Sequence, residues 1–481
     1  MIDAVRDFLL DTVPDGFLAH LSTLAGFLLA FFFVARLMGE KRAPSNTFAW
    51  LLVIILIPWL GVPLYLLFGG RKLRRILQHK NVLCPVLPGV HPGQATGIGC
   101  PSVATTVTAA GGSLPVGGNR VRFLRTGEED FDELERQIRA ARQTIHVTTF
   151  ILGRDATGRR ITSLLAERAR EGVKVRLLLD ALGSFRASRG FTAPLRRAGG
   201  EVGRFMPVLP FSSRGSANLR NHRKMAIFDH RVAMIGGRNL AREYMGPTPH
   251  PKRWRDFGAV LEGPAALLLN EVFIADWCFA TRQPIERLNA EVPTEPVPMP
   301  GTCELQVVAS GPDVPGDPLY EGIISMIQEA EHSIWIVTPY FIPDDVLMRS
   351  LIVKARAGRD VTLIVPAHSN HPITDFARRY YTRELRRAGG RLLLYGGSML
   401  HAKAVLVDRR VALVGSPNFD LRSLFVNFEI GVLVYSEPEL LELRAWMEDL
   451  MLSCHAPDPD QRHRLARSVA EDLSRLMAPL L

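Results

Sequence analysis

The sequence predicts an α/β protein in which two pseudo-twofold-related α/β repeats form one body, preceded by two N-terminal hydrophobic helices. Three observations carry this reading. Two long charge-free runs lie near the N-terminus; beyond residue 120 strand-like and helix-like patterns alternate; and one pattern occurs twice, as NHRKMAIFDHRVAMIGGRN (Asn221–Asn239) and LHAKAVLVDRRVALVGSPN (Leu400–Asn418). At 481 residues the chain can fill two cores. Its net charge of +10 points to an anionic partner, whether lipid headgroups, a membrane surface or nucleic acid. Five scattered cysteines with no CxxC read as free thiols, with no disulfide framework and no zinc site.

Residues 1–80 read as a membrane anchor. The first run, Gly16 to Ala35, is about long enough to cross a bilayer core as a helix. The second, Thr47 to Gly70, contains Pro58, Gly61 and Pro63, which favour a tilted, broken or re-entrant segment. Trp50, Trp59 and Tyr65 suit the membrane interface. Acidic residues at positions 3, 7, 11 and 15 argue against a signal peptide. Arg71, Lys72, Arg74 and Arg75 at the exit place the body, and with two crossings the N-terminus, in the cytoplasm. Residues 81–119 hold no Lys, Arg, Asp or Glu and read as a flexible linker.

The first repeat is assigned to 120–300 and the second to 301–481. TIHVTTFIL, a helix through ITSLLAERAREGV and VKVRLLLDALGS are echoed by SIWIVTPYFIP, VLMRSLIVKARAG and DVTLIVPA. The hexapeptide LRRAGG recurs verbatim at Leu195–Gly200 and Leu385–Gly390, with an insertion in the first repeat around RFMPVLPFSSRGSAN. Phe205–Phe211 and Phe273–Phe279 read either as core or as the border of an acyl groove. The C-terminal LARSVAEDLSRLMAPLL reads as an amphipathic packing helix.

The doubled motif carries the chemistry. On a strand, residues i and i+2 share a face, so His222 and Lys224 point into one space, as do His401 and Lys403. Asp229 and Asp408 complete the pattern at a turn, where a structural role is expected. Gly236-Gly237 and Gly415-Ser416 allow close approach and lead to Asn239 and Asn418. Two imidazoles and two ammonium groups brought together are costly to bury, and a phosphodiester between them removes that cost. One neutral imidazole can attack phosphorus while the other, protonated, releases the alcohol, with the lysines and asparagines on the non-bridging oxygens. The pattern needs no metal or cofactor, since two lysines oppose a divalent cation.

With both motifs, RAPSNTFAWLL and PLYLLFGG in the anchor, EYMG…WRDF after the first motif, TPYFIPDD opening the second half and NFDLRSLFVNFE after the second motif, the chain resembles the phospholipase D superfamily and, within it, the bacterial cardiolipin synthases. The resemblance covers nearly the whole chain. It implies phospholipase D-type α/β-sandwich repeats forming one catalytic body in the bacterial inner membrane. The implied reaction is phosphatidyl transfer between two phosphatidylglycerols through a phosphohistidine, giving cardiolipin and glycerol, with no nucleic acid as partner. It further implies that Glu429, eleven residues beyond Asn418, hydrogen-bonds a catalytic histidine; in the first half that role falls to Asp256 of WRDF. By the same analogy His222 attacks and His401 serves as acid, then base. Arg242, Gly258, Ala259 and the two histidines of HSNHP (His368–Pro372) depart from the family pattern and bear on substrate preference. A phospholipase D or transphosphatidylase with another donor or acceptor would use the same residues. A nuclease would not need the anchor, and a silent scaffold would not need both motifs.

Overall fold

The β-branched and aliphatic runs of both repeats become strands, and the LRRAGG hexapeptides close equivalent helices. The computed structural model describes residues 17–38, 44–65, 99–187, 190–206 and 219–457. The first repeat supplies β1 (Val116–Leu124), β2 (Thr144–Thr149), β3 (Lys174–Asp180), β4 (Glu201–Phe205), β5 (Met225–Phe228), β6 (Val232–Gly236) and β7 (Gly258–Glu262). The second supplies β8 (Cys303–Ser310), β9 (Ser333–Val337), β10 (Phe341–Ile342), β11 (Asp360–Pro366), β12 (Arg391–Tyr395), β13 (Ala404–Val407), β14 (Val411–Gly415), β15 (Phe419–Asp420), β16 (Glu429–Val434) and β17 (Cys454–His455).

One 15-stranded sheet runs β17-β12-β11-β9-β13-β14-β16-β8-β1-β7-β6-β5-β2-β3-β4. Read outward from the antiparallel β1–β8 seam, the order β7-β6-β5-β2-β3-β4 matches β16-β14-β13-β9-β11-β12 strand for strand. That correspondence is the pseudo-twofold expected from the repeated motif. Local chemistry repeats with it. Asp155 caps the helix Ala156–Arg170 by accepting the Gly158 amide, and Asp344 caps Asp345–Arg356 at the matching place. In the two hexapeptides Leu195 and Leu385 are buried, and Gly199 and Gly389 turn the chain at φ 94° and 98°, where a side chain is strained.

Both faces of the sheet are covered. One core is shared between the repeats and includes Ala233, Ile235, Val307, Val414 and Val432; each repeat has a second core under its own helices. The helix Pro264–Thr281 is long and apolar enough to cross a membrane, but it lies mostly buried in the shared core. Phe205, Phe273, Trp277 and Phe279 are buried there, so core, and not a groove, is the outcome for these four aromatics.

One expectation changes. The linker proposed for 81–119 does not extend that far. The helix Pro101–Ala109 buries Val103, Ala104 and Val107 beside Ile323 and Met326 of the helix Pro318–Glu329, and β1 begins at Val116. Small apolar residues spaced three and four apart drove that packing, a pattern the lack of charge obscured. The second hydrophobic run is broken, as Pro58, Gly61 and Pro63 lead one to expect. Pro44–Leu56 ends before Pro58, which starts a short helix to Leu64. Thirteen residues span about 20 Å, less than a bilayer core. Gly61 lies against the Val53 carbonyl, so the chain folds back on itself there. Together with Phe17–Met38 these helices gather Ala30, Phe33, Ile54, Val62 and Tyr65 inside, and leave Phe27, Phe31, Ile55 and Trp59 on the outside. The C-terminal amphipathic segment lies outside the described residues, as do the insertion at 207–218, residues 81–98 of the proposed linker and the basic exit at 71–75.

Candidate active site

Asn221 and Leu400, the first residues of the two motifs, form parallel bridges with Phe428 and Arg255 of the opposite repeat. The amide of His222 donates to the Phe428 carbonyl (2.9 Å), and that of His401 to the Arg255 carbonyl (2.7 Å). The His-x-Lys triplets are therefore extended but stand just ahead of β5 and β13, not within them, because their backbone pairs across the seam instead of with β2 or β9. The alternation survives. Arg223 and Ala402, between His and Lys, turn away and are fully buried.

Beyond the strands the predicted hairpins form. Asp229-His230 and Asp408-Arg409 both take left-handed φ, between 50° and 58°. Asp229 accepts the amides of Arg142, Gln143 and Thr144 at 2.7–2.9 Å, and Asp408 accepts those of Glu331, His332 and Ser333. These aspartates brace the turns and stand apart from the imidazoles.

The orienting carboxylates are crossed between repeats. His222 Nδ1 lies 2.9 and 3.1 Å from the carboxylate oxygens of Glu429, and His401 Nδ1 lies 2.7 Å from Asp256 Oδ2. A Nδ1–H donated to a carboxylate fixes the tautomer and leaves Nε2 as the basic nitrogen. Both carboxylates are fully buried and placed by the residue after the motif glycine. Ser416 donates its hydroxyl to Glu429 and accepts the Ile430 amide (3.0 Å). At the equivalent Gly237 an added Cβ would fall on the Asp256 carboxylate, so the shorter acid is matched by the smaller residue. Asn239 Oδ1 accepts the Ile151 amide (3.1 Å), whereas the buried Asn418 Oδ1 has no hydrogen-bond partner among the described residues.

Both lysines are buried. Lys224 Nζ donates to the His222 carbonyl (2.7 Å), and Lys403 Nζ lies 2.7 and 3.0 Å from the His401 ring nitrogens. Burial drives the imidazole of His222 down to about 4, with Glu429 opposing and both lysines adding to the fall. Burial, then the Lys403 ammonium, drives His401 down to about 3. Burial also lowers Lys224 to about 7 and Lys403 to about 8. It works against the charge of Glu429 and Asp256 too, but the histidines and lysines outweigh it and hold both carboxyls below the usual range. The result is a compact site with two lysines that titrate near neutrality, two ionised carboxylates and two neutral imidazoles.

Several contributors were not visible in the motif. Phe150 meets the His222 ring edge-on at 5.3 Å, and Tyr244 and Trp254 lie 5.1 and 5.3 Å from His401. Arg223 donates to the Glu429 carbonyl (3.0 Å), Asp276 (2.6 Å) and the Ser310 carbonyl (3.1 Å), clamping the peptide whose side chain holds its neighbour. Its place between His and Lys was the available signal; the partner Asp276 lies on the core helix and carried none.

A family model described as cardiolipin synthase, PLD-like domain, matches residues 134–277 and 323–451. One described as phospholipase D-nuclease N-terminal matches residues 27–70. The chain is 33% identical over 457 residues to the cardiolipin synthase of Geobacillus sp. (strain WCH70), covering 92% of this chain and 90% of that one. It is 32% identical over 488 residues to the cardiolipin synthase of Listeria monocytogenes serotype 4b (strain F2365), covering 97% and 100%. A solved phosphatidylserine synthase of Haemophilus influenzae Rd KW20 superposes with TM-score 0.58 at 15% identity, over 79% of this chain and 98% of that one, a likeness of fold.

Proposed function

The chain belongs to the cardiolipin synthase family of phospholipase D-like enzymes, and on that premise we propose that it joins two phosphatidylglycerols into cardiolipin and glycerol at a membrane, through a phosphohistidine. The observation that carries the proposal is the crossed pair of imidazoles, each held at Nδ1 by a carboxylate of the other repeat with Nε2 left for chemistry.

His222 Nε2 attacks the phosphorus of the first lipid, and the P–O bond to its headgroup glycerol breaks. His401, protonated once the anionic diester is bound beside it, gives that proton to the departing alkoxide. The same imidazole then takes the proton of the second lipid's glycerol hydroxyl. That oxygen attacks phosphorus, the N–P bond breaks, and His222 is regenerated neutral. Lys224 and Lys403, with Asn239 and Asn418, hold the non-bridging oxygens as charge gathers on them, a role in which the ammonium groups stand where a divalent cation would otherwise serve. Two features favour His222 as nucleophile. No hydrogen bond among the described residues occupies its Nε2, whereas the Lys403 ammonium lies 3.0 Å from that of His401; and its side chain is the more exposed, 13% against 5%.

Water competes at every turnover, so transfer needs a positioned acceptor lipid. The apolar exterior of the N-terminal helices supports residence in a membrane, and the basic run Arg71, Lys72, Arg74 and Arg75 favours a body on the cytoplasmic side. Purified enzyme incubated with phosphatidylglycerol vesicles is expected to release glycerol and cardiolipin in equal amounts, and acid-sensitive label on His222 after a quench. Phosphatidic acid without cardiolipin, or turnover of nucleic acid instead, would sink the proposal.

A further inference from the structure

We propose that the mouth of the site is rimmed by an apolar lip, contributed by both repeats, that inserts into a leaflet containing anionic phospholipid headgroups. The proposal rests on the phosphatidyl-transfer reading and adds where the catalytic body meets its substrate's bilayer.

The topology puts two exposed segments at the same sheet end as the histidines. Strand β2 runs parallel to β3, and Thr148 near its end pairs with Met225, the first residue after His222-x-Lys224. In the second repeat β9 runs parallel to β11, and Val337 pairs with Ala404, just after His401-x-Lys403. The segments that leave β3 and β11 therefore border the site from opposite repeats.

After β3, Leu182 is 47% and Phe185 75% exposed. The turn that displays them is braced. Asp180 Oδ1 accepts the amides of Leu182 and Gly183 (2.9 Å each), and Ser184 donates to the carbonyl of Phe150 (2.8 Å), whose ring meets His222. After β11, the HSNHP loop leads into the helix Pro372–Arg387 with Ile373 55% and Phe376 37% exposed in its first turns. Here Tyr340 donates to Asn370 (2.7 Å) and meets the His371 ring edge-on at 5.6 Å. Each apolar group carries a cation beside it. Arg186 is exposed next to Phe185, and the Arg379 guanidinium lies 4.6 Å over the Phe376 ring.

Aromatic and aliphatic tips flanked by arginines suit the boundary between headgroups and acyl chains. The chemistry favours a lipid surface over a protein partner. The scissile phosphate sits at headgroup depth, whereas lifting a whole lipid into a dissolved site costs roughly a factor of four in equilibrium constant for each methylene exposed. A lip that seats in the leaflet brings the histidines to the phosphate and leaves the chains where they are.

The test compares two substrates with the full-length enzyme. The double variant F185S/F376S is expected to lose at least about tenfold in rate on long-chain phosphatidylglycerol vesicles. It should keep wild-type rate on a short-chain phosphatidylglycerol dissolved as monomers. Equal loss on both substrates, or none on vesicles, overturns the proposal. A second measurement uses F185W. The fluorescence that F185W adds over the wild type, whose own tryptophans include Trp50 and Trp59 of the anchor, should be quenched by vesicles of acyl-brominated phosphatidylglycerol, and an unquenched increment also overturns it. If the wild type turns over neither substrate, the phosphatidyl-transfer reading has failed and the quenching experiment alone decides the lip.

Discussion

Replacing Glu429 by Gln keeps the shape of the side chain that holds His222 and removes its charge. His222 Nδ1 is within 2.9 and 3.1 Å of that carboxylate, and Glu429 is wholly buried, so no water can take over the contact. A hydrogen bond to a buried charged group is worth about 1.5–3 kcal/mol, which is about 10- to 150-fold in rate. The larger consequence is the tautomer. An amide can offer its N–H to Nδ1, moving the proton to Nε2, and loss of the productive tautomer in a histidine–acid pair costs up to about 10⁴. Asp256→Asn does the same to His401. The two variants separate if the substrate is a phosphodiester with a nitrophenolate leaving group, which departs without a proton. In a rapid-mixing assay the burst of nitrophenolate should be nearly normal in Asp256→Asn and His401→Ala, and lost in Glu429→Gln and His222→Ala. The opposite pattern of rescue would reverse the roles of the histidines. Both acid variants within about threefold of wild type on natural lipid would refute the crossed pairing as a catalytic device.

Other outcomes follow from the same geometry. With Lys224 at about 7 and Lys403 at about 8, the ammonium forms are present at low pH and lost as pH rises, so kcat/KM should fall above about pH 7. Lys224→Met should move that limb up toward pH 8, where Lys403 titrates, and cost about 10²–10³ of the rate. The histidines are held neutral in the folded protein down to about 4 and 3 but protonate near 6.5 when unfolded. The histidine contribution to stability is therefore complete above pH 6.5 and should decline as pH falls from there toward 4, read as a falling Tm. Gly237→Ala should displace the Asp256 carboxylate and cost at least about 100-fold in kcat with little change in Tm, whereas wild-type activity in this variant would contradict the packing. Asp229→Ala leaves three amides without their acceptor and should lower stability by about 2–3 kcal/mol in denaturant titration, with kcat much less affected.

Much of this was legible in the residues. Strict recurrence of His-x-Lys, Asp and Gly-x-x-Asn announced both the repeat and the turn chemistry, and Glu429 and Asp256 were found by resemblance. What local pattern could not reveal was which histidine each acid serves, because that depends on the β1–β8 seam and on Phe428 and Arg255 pairing across it. Periodicity likewise placed His222 on a strand, although its backbone partner lies some two hundred residues away in the other repeat. The helix Pro101–Ala109 was missed because its packing residues are small and its polar ones uncharged. The hydrophobicity of Pro264–Thr281 alone does not distinguish a core helix from a membrane span; its burial between the repeats does.

The crossed acids also make catalysis a sensor of assembly. Each imidazole is completed only while the two repeats stay docked, so a slight parting of the seam silences the enzyme even if each half of the sheet remains intact. Under mild heat or denaturant, activity should disappear before the circular-dichroism signal of either half, and return when the halves close again.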